Sequence, residues 1–343
     1  MSDVILGNGR KIGDYQRPYF VAELNTSHFG DLEIAKSMIN QAKEVGCDCV
    51  KFQSWSAETL YSESYYKENP VARRVVQKFA LDNDKLKVLS EHARKVDIDF
   101  ASTPYSIDEA NFLINECDVP FIKIASMELN NHPYLNSLAK LNVPLVLSTG
   151  MGTLKEIMEA VEIIKSTGSS QLIILHCTSI YPSGPEHIRL QNILGLRGHF
   201  PFYPIGYSDH SLGIEVPIAA VALGACLIEK HFTLDSSRIG MDNQMATEPA
   251  EMKDMVAACH KTYESMGGVS RVVSLEEVAQ SKKMRRSMIA KVDLHLGQVL
   301  EEQFMEFKRP GTGIPPSELQ RYIGRKLKHS ISAGTFFQPG DFD

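Results

Sequence analysis

Apolar and polar positions along the chain fall into a repeating order: a short apolar run rich in β-branched or aromatic residues, a polar loop, then a segment of helical period. The first run, Tyr19–Glu23, ends on a carboxylate. After the loop Asn25–Asp31, Asp31 is placed to cap a helix from Leu32 to Val45, whose apolar positions Ile34, Ala35, Met38, Ile39 and Ala42 share one face. The second run, Cys49–Gln53, alternates, so that Lys51 and Gln53 face one way and Val50 and Phe52 the other. Further runs at Asp99–Pro104, Phe121–Ser126, Val143–Gly150, Leu172–Cys177, Tyr203–Tyr207 and Cys226–Lys230 each precede a helical segment. Helices are expected near 107–114, 133–141, 153–167, 188–196, 214–223 and 249–266. Eight strand-then-helix units predict an α/β fold, a (β/α)8 TIM barrel, with its site at the C-terminal ends of the strands.

Two stretches break the rhythm. Residues 54–81, with Tyr61, Tyr65 and Tyr66 among charges, read as a functional loop inserted after the second strand. Past Met266 the pattern turns to brief apolar segments broken by Gly and Pro. The domains expected are a barrel over 1–266, a linker over 267–283 and a small strand-rich domain over 284–343.

Composition narrows the function. The chain has 343 residues, 43% hydrophobic and 23% charged, with a net charge of -6 and one tryptophan, so it lacks the basic footprint and stacking residues of a nucleic-acid binder. No apolar run approaches the length of a membrane span, and no leader-like segment opens the sequence. Six cysteines without a C-x-x-C pair are expected to be buried free thiols in a cytoplasmic protein.

The chemistry gathers at the strand ends. Lys51 and Lys123 supply charge and Ser126, Ser148 and Ser208 supply hydroxyl donors, a combination suited to a phosphate or a phosphorylated carboxylate. A lone inward lysine is also explained by an internal salt bridge. His210 and His231 close two adjacent strand-like runs, and two imidazoles suit zinc, manganese, iron or cobalt while leaving positions for water and substrate. Either histidine taken singly is equally a strand cap. Glu23 and Asp242 are the carboxylates placed to bind hydroxyls or move a proton; a salt bridge to a barrel lysine is their competing explanation.

The ordered motifs Lys51-Phe-Gln53, Ser102-Thr-Pro104, Lys123-Ile-Ala-Ser126, Leu147-Ser-Thr-Gly-Met151, His176-Cys-Thr-Ser-Ile-Tyr181, Tyr207-Ser-Asp-His210 and Glu229-Lys-His231 resemble those of the sialic acid (N-acetylneuraminate) synthase family. Arg285-Arg-Ser287 and Lys308-Arg-Pro-Gly-Thr-Gly313 resemble its C-terminal antifreeze-like (SAF) domain. The resemblance implies a phosphoenolpyruvate-dependent condensation with N-acetylmannosamine or a related acylamino hexose, giving a nine-carbon 2-keto-3-deoxy acid and phosphate. It places phosphoenolpyruvate on Lys51, Thr103, Lys123, Ser126, Ser148 and Ser208, with Ser179 where some members carry asparagine. It places manganese, or alternatively magnesium or cobalt, on His210 and His231, and the sugar on Glu23, Gln53, Tyr181 and Asp242. Arg309 would reach the sugar from the partner subunit of a domain-swapped homodimer.

The chain departs from the family pattern on the sugar side. Ser27-His28-Phe29-Gly30 stands for Asn-His-Asn-Gly, and Asp242-Asn243-Gln244 for Asp-His-Lys, which leaves the sugar open between N-acetylmannosamine and a 6-deoxy-diacetamido hexose of the legionaminate or pseudaminate type. Two rival readings remain: a non-catalytic barrel used for binding or assembly, and a synthase for a shorter sugar phosphate, which would need more cations than the one spare, Arg238.

Overall fold

In the computed structural model, which describes residues 3–168 and 171–343, the chain forms two compact units, Met1–Gly267 and Gly268–Asp343. The first opens with an antiparallel hairpin, β1 (Asp3–Ile5) and β2 (Lys11–Gly13). Eight parallel strands follow: β3 (Tyr19–Glu23), β4 (Cys49–Ser54), β5 (Asp99–Pro104), β6 (Ile122–Ile124), β7 (Leu145–Ser148), β8 (Leu172–Cys177), β9 (Ile205–Asp209) and β10 (Leu227–His231). They close into a barrel in sequence order, with β10 pairing back onto β3.

Strand periodicity sorts the residues into two layers. Phe20, Ala22, Val50, Phe52, Ile122, Leu145, Leu147, Ile174, Ile205 and Ile228 pack outward against the helices in one large apolar cluster. Tyr19, Val21, Cys49, Ala101, Phe121, Val146, Ile173, Leu175 and Leu227 fill the barrel interior together with Val4, Leu6 and Ile12 of the hairpin region. Two residues further along the same inward rows, and four at His231, the side chains become polar: Glu23, Lys51, Thr103, Lys123, Ser148, Ser208, Glu229 and His231, all buried. The apolar lower layer is what excludes water beneath this polar ring.

The expected helices form with small changes. Asp31 caps Leu32–Glu44 by accepting from the Glu33 and Ile34 amides, and Thr153 with Glu156 makes a capping box for Leu154–Ser166. The helix expected at 188–196 is instead two pieces, Pro185–Ile188 and Asn192–His199, because Arg189 turns left-handed at φ 50°. Residues 54–81 hold three short helices, Ala57–Leu60, Glu63–Glu68 and Pro70–Phe79, packed on their own cluster of Trp55, Ala57, Tyr66, Val76 and Phe79. The helix that completes the second barrel unit is Asn83–Lys95, capped by Asp82.

The second unit begins at Gly268, and within the stretch expected as a linker, 267–283, a helix capped by Ser274 starts and runs Leu275–Met284. Regular strand is confined to β11 (Ser287–Ala290) and β12 (Met305–Lys308), with single bridges such as Leu294 to Ile331 elsewhere. Its core gathers Met288, Leu294, Leu300, Ile314, Tyr322, Leu327, Phe337 and Phe342. All six cysteines are buried and unpaired, and no helix among the described residues is long and apolar enough to cross a membrane.

Candidate active site

The thirteen site residues expected in the barrel unit, Glu23, Lys51, Gln53, Thr103, Lys123, Ser126, Ser148, Ser179, Tyr181, Ser208, His210, His231 and Asp242, all line one cavity of about 360 Å³ at the C-terminal ends of the strands. Arg309 is carried by the second unit. Size alone would not pick this cavity out. One of about 410 Å³ lies at the strands' other ends, but there Arg10 pairs with Asp48 and Lys43 with Asp97.

Charge organises the floor of the cavity. Lys51 is ion-paired with Glu23, donates to Thr103 Oγ1 at 3.2 Å, and stands 3.7 Å from Glu229 Oε2. Lys123 donates to Ser148 Oγ at 2.7 Å and stands 3.8 Å from Glu229 Oε1, which also accepts from Ser208 Oγ at 3.0 Å. The internal ion pairs considered for the lysines and for Glu23 therefore exist, inside the cavity.

These groups set each other's protonation. Burial pushes Glu229 up, but Lys123 and Lys51 outweigh it and hold this carboxyl below the usual range. Burial likewise opposes the Lys51 cation, yet Glu229 and Glu23 keep its pKa raised. Burial wins at Lys123, which is lowered, and at Glu23, which is raised despite Lys51.

Glu229 was not singled out from the sequence as a site residue. It lies two residues before His231 on β10 and pairs in register with Ser208, so the period of two that placed Ser208 and His231 inward also places Glu229 there. Asn25, Trp55, Tyr61 and Tyr105 also line the cavity without having been picked out.

Around Gly150 the Ser126 and Ser179 hydroxyls and the Cys177 thiol form a small cradle. The Gly150 amide donates to Ser126 Oγ at 3.0 Å. A Cβ at Gly150 would fall 2.2 Å from Ser179 Oγ, 2.9 Å from Ser126 Oγ and 3.2 Å from Cys177 Sγ, so only glycine leaves these groups open to a ligand.

Across the cavity stand the two imidazoles, with ring centroids 5.3 Å apart. His210 Nδ1 lies 2.8 Å from the Thr178 carbonyl oxygen, which can only accept, so Nδ1 carries a proton; burial opposes the His210 cation, but Cys177 Sγ, 3.9 Å from Nδ1, outweighs it and raises its pKa. Burial, then the neighbouring His210, holds His231 well below the usual histidine range and therefore neutral. The Tyr181 ring lies 4.2 Å from that of His210. Among the described residues no group of three or more His, Cys, Asp or Glu side chains is arranged to hold a metal; the two imidazoles are the side chains here that could hold a cation.

On the remaining wall, Gln53 donates to Glu23 Oε1 at 3.2 Å and accepts from Trp55 Nε1 at 3.1 Å and Tyr105 OH at 2.9 Å. Asp242 accepts from Asn25 Nδ2, and burial raises its pKa. The departures noted beside Asp242 and His28 have structural roles. Asn243, fully buried, accepts from Thr233 Oγ1 at 2.6 Å and donates to the Asp235 and Arg238 carbonyls at 2.8 Å each, bracing the loop that carries Asp242. Phe29 packs on Phe79 and carries the Arg238 guanidinium 3.7 Å above its ring. Arg238, the spare cation, is engaged there.

Residues 38–271 match the NeuB family model, and residues 285–343 match that of the SAF domain. The chain belongs to the NeuB family. Its relatives there include N,N'-diacetyllegionaminic acid synthase of Legionella pneumophila, 36% identical over 96% of this chain and 98% of that one. Human N-acetylneuraminate-9-phosphate synthase is 32% identical over 93% and 91%, and pseudaminic acid synthase of Campylobacter jejuni 32% identical over 97% and 99%. Among solved structures, the N-acetylneuraminic acid synthetase of Leptospira borgpetersenii, in complex with citrate, superposes with a TM-score of 0.75 at 33% identity, covering 81% of this chain and 95% of that one.

Proposed function

We propose that this NeuB-family protein is a nonulosonic (sialic) acid synthase that condenses phosphoenolpyruvate with an acylamino hexose, N-acetylmannosamine or a close relative, to give a nine-carbon 2-keto-3-deoxy acid and phosphate. The observation that carries this reading is the meeting of two unlike half-sites in one cavity, lysines with serine hydroxyls and a cradle at Gly150, and a pair of imidazoles. A binding protein has no use for both. The 36% identity to a diacetyllegionaminic acid synthase supports a 6-deoxy-diacetamido hexose as the alternative sugar.

Lys51, Lys123, Thr103 and the hydroxyls of Ser126, Ser148, Ser179 and Ser208 hold the anionic groups of phosphoenolpyruvate, the cradle at Gly150 taking a compact charged group. The lysines do not enter this state uncompensated: Glu229, pinned by Ser208, stays between them as the counter-charge. C3 of phosphoenolpyruvate then attacks the sugar aldehyde, whose oxygen takes up a proton. Water adds at C2, and the C2–O bond breaks to release phosphate. A divalent cation, for which we favour manganese over magnesium or cobalt, would be held by His210 and His231 and supply Lewis-acid polarisation of the aldehyde.

Glu23 lies between the halves, ion-paired to Lys51 and bonded to Gln53, and its raised pKa suits it to orient and deprotonate the attacking water. Gln53, Tyr181 and Asp242 bind the sugar, and Arg309 completes its acyl end from the partner of a domain-swapped homodimer. Six buried free thiols accord with a cytoplasmic enzyme.

The test is phosphate release from phosphoenolpyruvate and manganese with each candidate sugar, the product weighed by mass spectrometry. Release with an acylamino hexose, and loss of manganese binding in the His210→Ala, His231→Ala double variant, are expected. Release with none of them would refute the reading.

A further inference from the structure

Asn25 joins two ends of the barrel that are 217 residues apart in sequence. It follows β3, and its amide reaches Asp242 in the loop beyond β10, the strand paired with β3 where the barrel closes. Both residues line the cavity, and Asn25 is 7% exposed. Its backbone has φ 34°, a left-handed conformation that costs an asparagine little and a glycine less.

Because Asp242 Oδ2 is a carboxylate oxygen and only accepts, the atom that meets it must be the amide nitrogen of Asn25. That fixes the orientation of the amide and leaves its Oδ1 as an acceptor. Among the described residues no hydrogen bond is made to Asn25 Oδ1 or to Asp242 Oδ1. The loop beneath is held by Asn243, so the pair is positioned before any ligand arrives.

We infer that Asn25 is a specificity-determining residue: with Asp242 it presents two adjacent acceptors that read two neighbouring donors of the sugar, a hydroxyl at the carboxylate and an acylamino N–H at the amide oxygen. Resting on the synthase reading above, this narrows the substrate to an acylamino hexose whose face toward Asn25 is uncharged. Two acceptors, one of them anionic, repel a phosphate group there. A sugar lacking the N–H leaves a buried acceptor unpaired, which is how such a site rejects it.

The substitution Asn25→Gly removes the side chain and suits the backbone. With the preferred acylamino hexose it is expected to raise the sugar KM about tenfold, as the loss of one or two site hydrogen bonds would. The phosphoenolpyruvate KM should stay within about twofold by the same reasoning. An N-methylated acylamino analogue should be a poor substrate for the unaltered enzyme, and Asn25→Gly should erase that discrimination. The exchange Asn25→Asp with Asp242→Asn rebuilds the inter-loop bond with the partners reversed and still presents two acceptors, so the melting temperature and the discrimination against the N-methylated analogue should both return; a residue that only braces the loops would restore stability without affecting that discrimination. An unchanged sugar KM in Asn25→Gly, or undiminished turnover of the N-methylated analogue by the unaltered enzyme, overturns the inference, and the second result decides even if the variants fail to fold. Absence of phosphate release with every sugar would instead count against the synthase reading.

Discussion

Glu229 and Lys123 face each other across 3.8 Å on the cavity floor, both almost wholly buried, while the other oxygen of the same carboxylate lies 3.7 Å from Lys51. This carboxylate is the counter-charge of Lys123 and shares Lys51 with Glu23, offsetting cations that are costly in a low dielectric. Substituting Glu229→Gln leaves a buried excess of positive charge and is expected to destabilise the fold by on the order of 3 kcal/mol. An anion in the cavity supplies the missing charge. Phosphoenolpyruvate should therefore raise the melting temperature of the variant more than that of the unaltered protein; an equal rise would show that the ligand does not contact the lysines.

The cradle makes a separate demand. Substituting Gly150→Ala puts a methyl group where Ser179 Oγ now lies 2.2 Å from the ideal Cβ position, so that hydroxyl must swing away. The phosphoenolpyruvate KM is expected to rise about tenfold, as for a lost hydrogen bond to a charged group, with a smaller change in the sugar KM. Initial-rate kinetics with each substrate varied in turn separates the two.

Asn243 offers a test of the loop beneath Asp242. Replacement by alanine strips the Thr233 hydroxyl of its acceptor and the Asp235 and Arg238 carbonyls of their donor. The expected cost is about 2–3 kcal/mol of stability, together with a raised sugar KM because Asp242 loses its support. Asn243→Asp, which keeps the acceptor for Thr233 but turns a buried carboxylate oxygen toward the two carbonyls, should be no better tolerated than alanine.

His28 gives a pH signature. Burial lowers its pKa to about 4, against 6.5 in the unfolded chain. Between those values the unfolded chain binds more protons than the folded one, so stability rises with pH through this window and is lost on acidification from pH 6.5 toward 4. His176 and His231 are depressed in the same direction, so the informative quantity is a difference. Denaturant titrations across this range should show a shallower pH dependence in His28→Gln than in the unaltered protein.

The barrel was legible in the sequence because each strand is a short apolar run with polar residues toward its C-terminal end, followed in every unit but one by a segment read as its helix. The exception, Asn83–Lys95, was hidden behind the three short helices of the insertion, whose apolar residues serve a local cluster and not the barrel. Of the site, the lysines, serines and histidines stood out because such residues are costly inside a barrel. Glu229 did not, because a glutamate among the residues Ile228-Glu-Lys230 looks like part of a salt-bridged strand until the register with Ser208 is known. What Asn25 and Asn243 do was hidden for a different reason. Their roles depend on loops that meet only when β10 closes against β3.

The most direct test of the two-part site is a crystal structure of the protein with phosphoenolpyruvate and manganese bound. The account predicts the anionic groups of phosphoenolpyruvate against Lys51, Lys123, the Gly150 cradle and the serine hydroxyls, with manganese on His210 and His231 and Glu229 still seated between the lysines. Phosphoenolpyruvate bound away from the lysines, or manganese held by other residues, would contradict it.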